Sequence, residues 1–295
     1  MKKIIVTGAS GFIGRACVKQ LLDQGDFEIH AVSRKKSKNI FKNLFWYQID
    51  LFDTKQIQDF CREVKADYLL HLAWDVSEKN YNSTHHYDWV AVSVNLVKSF
   101  VKQKGERVLI SGTCDEYDWN CKNCSEKSPI EPRNIYGIAK NRLRQLLEPY
   151  TKQHKVSFVW GRIFFAYGPY ENPKNIIPYI IRDLKNNLDV EIMKKGDVRD
   201  YIYVDDVASA LGALIESDIQ GVVNISSDRP LKIKELVLKI ANHFNKAHLV
   251  NFADTASNSE IYVVGENSRL QKELDWKPKV NIDEGLKRTI QFFEA

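Results

Sequence analysis

Three glycines at a spacing of three, Gly8, Gly11 and Gly14, stand between an apolar run and an amphipathic stretch near the start of the chain. Residues 2–7 are apolar and partly β-branched, which predicts a short buried strand. Residues 12–24 carry Ile13, Cys17, Leu21 and Leu22 at helical spacing, which predicts a helix. The segment Thr7-Gly8-Ala9-Ser10-Gly11-Phe12-Ile13-Gly14 is thus a glycine turn leading from a strand into a helix. Such a turn lets backbone amides approach a pyrophosphate, and the helix N terminus adds partial positive charge. Gly8, Ser10, Gly11, Phe12, Ile13 and Gly14 are the candidate phosphate cradle. The plain alternative is a tight turn serving close helix–sheet packing.

The same alternation continues. Strands are expected at 27–32, 44–49, 68–72 and 107–110, with helices at 54–63 and about 81–103 between them. This is the pattern of a parallel sheet covered on both faces. Residues 111–134, polar and proline-containing, read as an active-site loop. A helix over 135–153 and a strand over 156–160 follow. Beyond Gly168-Pro169 the pattern loosens, with helices near 174–187, 204–217, 231–244 and 282–293. The expected fold class is α/β: a Rossmann-type doubly wound parallel sheet with a smaller C-terminal α/β substrate lobe. Residues 1–168 would form the cofactor domain and 169–295 mainly the lobe, with parts of 200–226 returning to the first. A chain of 295 residues buries enough surface to need no staple.

Composition excludes several classes. The net charge is +5, and the dense basic run is Arg34–Lys38, with no aromatic-interleaved basic face for nucleic acid. A mild positive bias favours an anionic substrate. The N-terminal apolar run is too short for a signal core, and no stretch is long enough to span a membrane. Five cysteines, an odd number, and no secretory signal predict reduced thiols and a cytoplasmic protein. Cys121-x-x-Cys124 lacks the second ligand pair of a structural zinc site, so no metal is expected.

Tyr136-Gly137-Ile138-Ala139-Lys140 places a phenol and an amine on one helical face. A phenol titrates near 10, and a neighbouring cation favours the phenolate, so Lys140 is placed to tune Tyr136. Thr113, at the end of the fifth strand, is the candidate donor to the reacting oxygen. The second strand ends in Ser33-Arg34, where NAD sites of this fold carry an acidic residue. Arg34 can pair with a 2′-phosphate and Ser33 can donate to it, so NADP(H) is the expected cofactor, with NAD(H) the lesser alternative.

These motifs together resemble the extended short-chain dehydrogenase/reductases, whose turn is Thr-Gly-x-x-Gly-x-x-Gly. The resemblance spans the chain. Asp50-Leu51 is similar to the family's adenine-contacting pair, and Leu72-Ala73 within His71-Leu72-Ala73 to its cofactor-side turn. Arg199-Asp200-Tyr201-Ile202-Tyr203-Val204-Asp205-Asp206 and the segment from Leu270 to Pro278 resemble its late signatures. The resemblance implies a nucleotide-sugar substrate, held by Arg199 on the diphosphate and by Tyr167 and Asn175. It also implies a homodimer built on helices 82–103 and 135–153; Val90, Val94, Val97 and Val101 form an apolar stripe that such a pairing or burial within the protomer explains equally well. Family members carry the catalytic Ser or Thr four residues before a Tyr, here Thr113 before Tyr117. Dehydratases place Glu two residues after it and fucose-synthase-like enzymes Cys; this chain has Asp115 there. Cys114 stands where one dehydratase group has an acid. Asp115 is therefore a candidate acid–base group or simply a loop-ordering residue. Trp89 and Phe165 replace two family asparagines on the cofactor and substrate side. Three functions stay open: NADPH-dependent reduction of a 4-keto sugar nucleotide, a 4,6-dehydratase or epimerase that recycles its cofactor, and a binding protein on the same fold.

Overall fold

The computed structural model describes residues 1–35, 41–76, 81–253 and 260–294. Lys36 and Lys38 of the basic run lie outside the described residues.

The first half alternates as β1 (Lys2–Thr7), α1 (Phe12–Gln24), β2 (Phe27–Ser33), β3 (Leu44–Gln48), α2 (Thr54–Val64), β4 (Tyr68–His71), α3 (His85–Lys102) and β5 (Arg107–Thr113). The chain continues through β6 (Asn123–Cys124), α4 (Ile135–Gln153), β7 (Ser157–Ile163), β8 (Phe165–Tyr167), α5 (Ile176–Lys185), β9 (Val190–Ile192) and β10 (Val198–Tyr203). It ends with α6 (Val204–Glu216), β11 (Gly221–Ile225), β12 (Pro230–Lys232), α7 (Ile233–His243), β13 (Val250–Phe252), β14 (Tyr262–Gly265), α8 (Ser268–Leu274) and α9 (Ile282–Glu294).

Seven strands form one parallel sheet in the order β11-β7-β5-β4-β1-β2-β3. Strand order reverses beside β1, so the carboxyl ends of β1, β4 and β5 open onto one crevice, where ligands of doubly wound sheets bind. Helices cover both faces. One side buries Cys17, Leu21, Val207 and Leu211 against β1 and β2, and the other buries Ile57, Phe60, Leu96 and Leu143. A smaller sheet, β12-β10-β14-β6 with β8 beside β10, and the β9–β13 pair lie against α5, α7 and α9.

The differences from the expected elements have local causes. α3 starts at His85, after a turn in which Ser83 Oγ accepts the His85 amide at 3.2 Å. β7 continues through Arg162, whose charge marks a strand end in sequence but is buried against Glu116. The loop after β5 holds two 3₁₀ turns and β6, and α8 is a seven-residue helix too short for a periodic signal. Val97 is fully buried, and Val90, Val94 and Val101 are partly buried against the same core, so packing within the protomer accounts for much of this stripe. No helix among the described residues is long and apolar enough to cross a membrane.

Candidate active site

The turn between β1 and α1 is shaped for close approach. Gly8 has φ +68°, and a Cβ on it would lie 2.8 Å from the Ala73 amide nitrogen. A Cβ on Gly14 would lie 2.0 Å from the Gly8 carbonyl oxygen, so α1 starts directly against the turn. Gly11 is the N-cap of α1 and supplies no side-chain cap. The first-turn amides, including those of Phe12 and Ile13, are therefore open to an anion. Ser10 lends its carbonyl to Arg15 Nε at 2.8 Å. Leu72 and Ala73 close the opposite wall, their amides donating to the Thr7 carbonyl and hydroxyl at 3.3 Å each. This geometry fits a dinucleotide pyrophosphate.

His71, which sequence reasoning treated only as part of a motif, joins three elements. Its Nδ1 meets Thr7 Oγ1 at 2.6 Å and its Nε2 meets Ser93 Oγ at 2.8 Å. Burial, with Lys140 nearby, pushes it down to about 3, so it is a neutral strut.

At the end of β2 Arg34 is exposed, with its carbonyl accepting from Gln48 Nε2 at 3.2 Å. Ser33 is buried, and its hydroxyl donates to the Lys35 carbonyl. Donation from Ser33 to a phosphate would require this hydroxyl to rotate away from the turn. Asp50 Oδ1 accepts the Phe52 amide at 3.0 Å, and Leu51 is buried below it.

β5 delivers Thr113 to the mouth of the crevice, where its hydroxyl caps a 3₁₀ turn by accepting the Asp115 amide at 3.2 Å. Asn134 caps α4 through the Gly137 amide at 2.7 Å, and the Tyr136 amide donates to the Tyr81 carbonyl at 2.9 Å. The two caps bring Thr113 and Tyr136 to the same side of the crevice mouth, near enough for Thr113 to act on the Tyr136 phenol. Lys140 Nζ donates to the Ser111 carbonyl at 2.7 Å and lies 6.0 Å from the Tyr136 ring centre. Burial pushes Tyr136 well above its ordinary value, with Thr113 working against it. Burial pushes Lys140 down to about 7, opposed by Glu116. The expected lowering of the phenol by the lysine is outweighed by desolvation, which leaves Tyr136 protonated at neutral pH.

Glu116 is fully buried and structural. It accepts from the Thr113 amide at 2.9 Å, Trp160 Nε1 at 2.8 Å and Arg162 Nε at 2.9 Å. Asp115 instead lies beside Tyr136 and near Asn134, Arg199 and Arg133; burial raises it to about 6, against the lowering by Asn134 and the two arginines. Cys114 and Cys124 pack with Tyr117, Phe164 and Val263 as core apolar groups, and burial raises both thiols. Among the described residues no group of His, Cys, Asp and Glu could hold a metal ion.

On the lobe side, Arg199 pairs with Asp197 at 3.5 Å and lies over the Phe165 ring at 4.9 Å. Asp200 is spent on Ser227, Asp228 and Gly265, so it is not the partner of Arg199. Asn175 donates to Glu171 at 3.0 Å ahead of α5. Tyr167 stands apart: it is 1 % exposed in the lobe core with its hydroxyl packed on Gly285, which corrects its expected substrate contact. A cleft of about 400 Å³ opens beside the loop after β5, lined by Trp119, Arg133, Glu260 and Tyr262 among others.

A family model described as "NAD dependent epimerase/dehydratase family" matches residues 4–226. The human dTDP-D-glucose 4,6-dehydratase is 25 % identical over 99 % of this chain and 90 % of its own length. The dTDP-6-deoxy-L-talose 4-dehydrogenase (NAD(+)) of Aggregatibacter actinomycetemcomitans is 27 % identical over 81 % of this chain and 90 % of its own. The UDP-glucose 4-epimerase of Thermus thermophilus, solved with NAD, superposes with a TM-score of 0.87 at 23 % identity, covering 99 % of both chains. The chain belongs to the NAD dependent epimerase/dehydratase family, enzymes of the extended short-chain dehydrogenase/reductase type.

Proposed function

We propose that the protein reduces the 4-keto group of a nucleotide-activated sugar, using NADPH. The observation that carries this reading is the disposition of the carboxylates around Tyr136. A 4,6-elimination needs an acid and a base besides the tyrosine. Of the two carboxylates in the 3₁₀ turn that follows β5, Glu116 is consumed by Trp160 and Arg162, which leaves Asp115 alone beside Tyr136, and Cys114 is a core thiol. A ketone reduction needs one proton donor, and a buried, protonated Tyr136 is in the right state to be one.

A nicotinamide cofactor held at the Gly8–Gly14 turn would supply the hydride that the carbonyl carbon takes up. Tyr136 then gives its proton to the oxygen as negative charge develops there. Thr113 hydrogen-bonds that oxygen, and the Lys140 ammonium steadies both the phenol and the nicotinamide ribose. Arg199, 27 % exposed at its side chain, is placed to take the substrate diphosphate, and Asn175 the adjoining groups. The similarity to a sugar-nucleotide 4-dehydrogenase, the same bond chemistry in reverse, supports this class.

NADPH is proposed from Arg34, exposed where an NAD site would carry an acidic residue. Direct titration should give NADPH at least about tenfold tighter binding than NADH, one charge-assisted contact being worth about 1.5–3 kcal/mol. Arg34→Ala should remove most of that preference; equal affinities in the unaltered protein would overturn it. A homodimer through α3 and α4 is proposed on the family resemblance, with scattering mass as its test.

A second reading, a dehydratase or epimerase with internal cofactor cycling, draws on Asp115, a carboxyl beside Tyr136 that burial raises to about 6. Tightly held cofactor in the purified protein and turnover without added NADPH would favour it. For either reading, Tyr136→Phe should lower turnover on the order of a hundredfold or more with cofactor affinity nearly intact. Near-normal turnover would remove Tyr136 from its role.

A further inference from the structure

The catalytic pair is walled by aromatic rings that neither the phosphate cradle nor the substrate lobe explains. Trp74 follows the Leu72-Ala73 turn, and its ring centre lies 4.0 Å from Lys140 Nζ. The same indole meets the Tyr136 ring edge-on at 6.4 Å. Its Nε1 donates to His86 Nδ1 at 3.1 Å, and its ring stacks on His86 at 6.2 Å and on Trp89 at 5.9 Å. His86 is fully buried and Trp89 nearly so, both on α3, so the indole is backed by a rigid element. Trp89 is thus a supporting ring, which gives a use to the departure from asparagine at that position.

We propose that Trp74 is a positioning residue whose indole face, anchored by His86, keeps the Lys140 ammonium charged beside Tyr136 in the enzyme awaiting its cofactor. The proposal rests on the reading of Tyr136 and Lys140 as the proton-transfer pair.

A lysine taken out of water must replace its hydration or lose its proton. The Ser111 carbonyl takes one of the three ammonium hydrogens. Among the other groups around the amine, Glu116 favours the cation while bonded to Trp160 and Arg162; His71, on β4, is neutral; Tyr136, on the same helix, is protonated; and His86 lies behind the indole. An indole face supplies negative potential without a carboxylate that would compete for the reacting proton. Burial pushes Lys140 down to about 7, so a modest preference for the cation decides its state at neutral pH. A desolvated cation on an indole is worth about half a pH unit or more.

The pH dependence of kcat/KM for the cofactor reports ionisations of the free enzyme. Trp74→Leu should move the alkaline limb of that profile to lower pH by about half to one unit, because Lys140 then deprotonates sooner. Trp74→Met, longer and equally non-aromatic, carries the same expectation if the leucine variant does not fold. Trp74→Phe keeps a face, though not the Nε1 donor, and should leave the limb near its original position. A non-aromatic variant whose limb stays in place or moves to higher pH overturns the proposal. So does a Trp74→Phe limb displaced as far as the leucine one, which would assign the effect to the His86 hydrogen bond. Tyr136→Phe in parallel separates the two levels. Retained turnover there fails the proton-transfer reading, whereas lost turnover with an unmoved Trp74→Leu limb fails this proposal alone.

Discussion

Asp115 and Glu116 are neighbours in sequence with opposite fates. Glu116 satisfies three donors in a dry pocket, so breaking it should be costly: Glu116→Ala is expected to lose about 3–5 kcal/mol of stability in denaturant unfolding. A loss under about 1 kcal/mol would contradict its structural assignment. Asp115 is raised by burial to about 6 from an ordinary 3.8, so the fold disfavours its ionised form. The sign follows from linkage. Above pH 6 the carboxylate is charged in both states and destabilises the fold. As pH falls from about 6 towards 4 the folded form gains its proton first, and the penalty disappears. Asp115→Asn should therefore be more stable than the unaltered protein at pH 7, by up to about 2–3 kcal/mol, with the gain gone by about pH 4. A variant less stable at pH 7 would show that Asp115 is held by its cationic neighbours instead.

At the scale of elements, the strand–glycine–helix start was legible because its signals are local: β-branched residues, a glycine spacing and a helical stripe within the first 24 residues. Gly8→Ala tests the geometry behind it. With φ +68° and a neighbour at 2.8 Å, the added Cβ should cost more than about 1 kcal/mol and weaken cofactor binding. An unchanged melting temperature and cofactor affinity would mean that the turn is not constrained. What sequence did not yield depends on partners far along the chain. Arg162 is a buried strand residue only because Glu116 lies 46 residues earlier. Tyr167 resembles a substrate contact in its motif, but its hydroxyl is turned onto Gly285 of α9. The indole over Lys140 comes from a loop 66 positions away by numbering, with an apparent identity no more telling than that of any loop tryptophan. Ser33 reads as a free donor until its own turn is seen to take the proton.

At the scale of the molecule, the sheet brings the carboxyl ends of β1, β4 and β5 to one crevice, and β8 and β10 pair in the smaller sheet. Arg199 of β10 lies near enough to Asp115 to favour its carboxylate. Arg199→Ala should raise the apparent substrate constant far more than the NADPH constant; equal effects would count against a diphosphate role. Light scattering should give about twice the mass of a 34.1 kDa chain if α3 and α4 pair between protomers, and a protomer mass at assay concentration would reject that pairing.

The most direct measurement is stoichiometric: NADPH oxidised per sugar nucleotide converted, across a panel of 4-keto sugar nucleotides. Net reduction predicts one NADPH consumed for each 4-keto group lost, with turnover falling on the order of a hundredfold or more in Tyr136→Phe. Conversion of a sugar nucleotide with no net NADPH consumed, sustained by cofactor already bound, would contradict it and establish internal cycling.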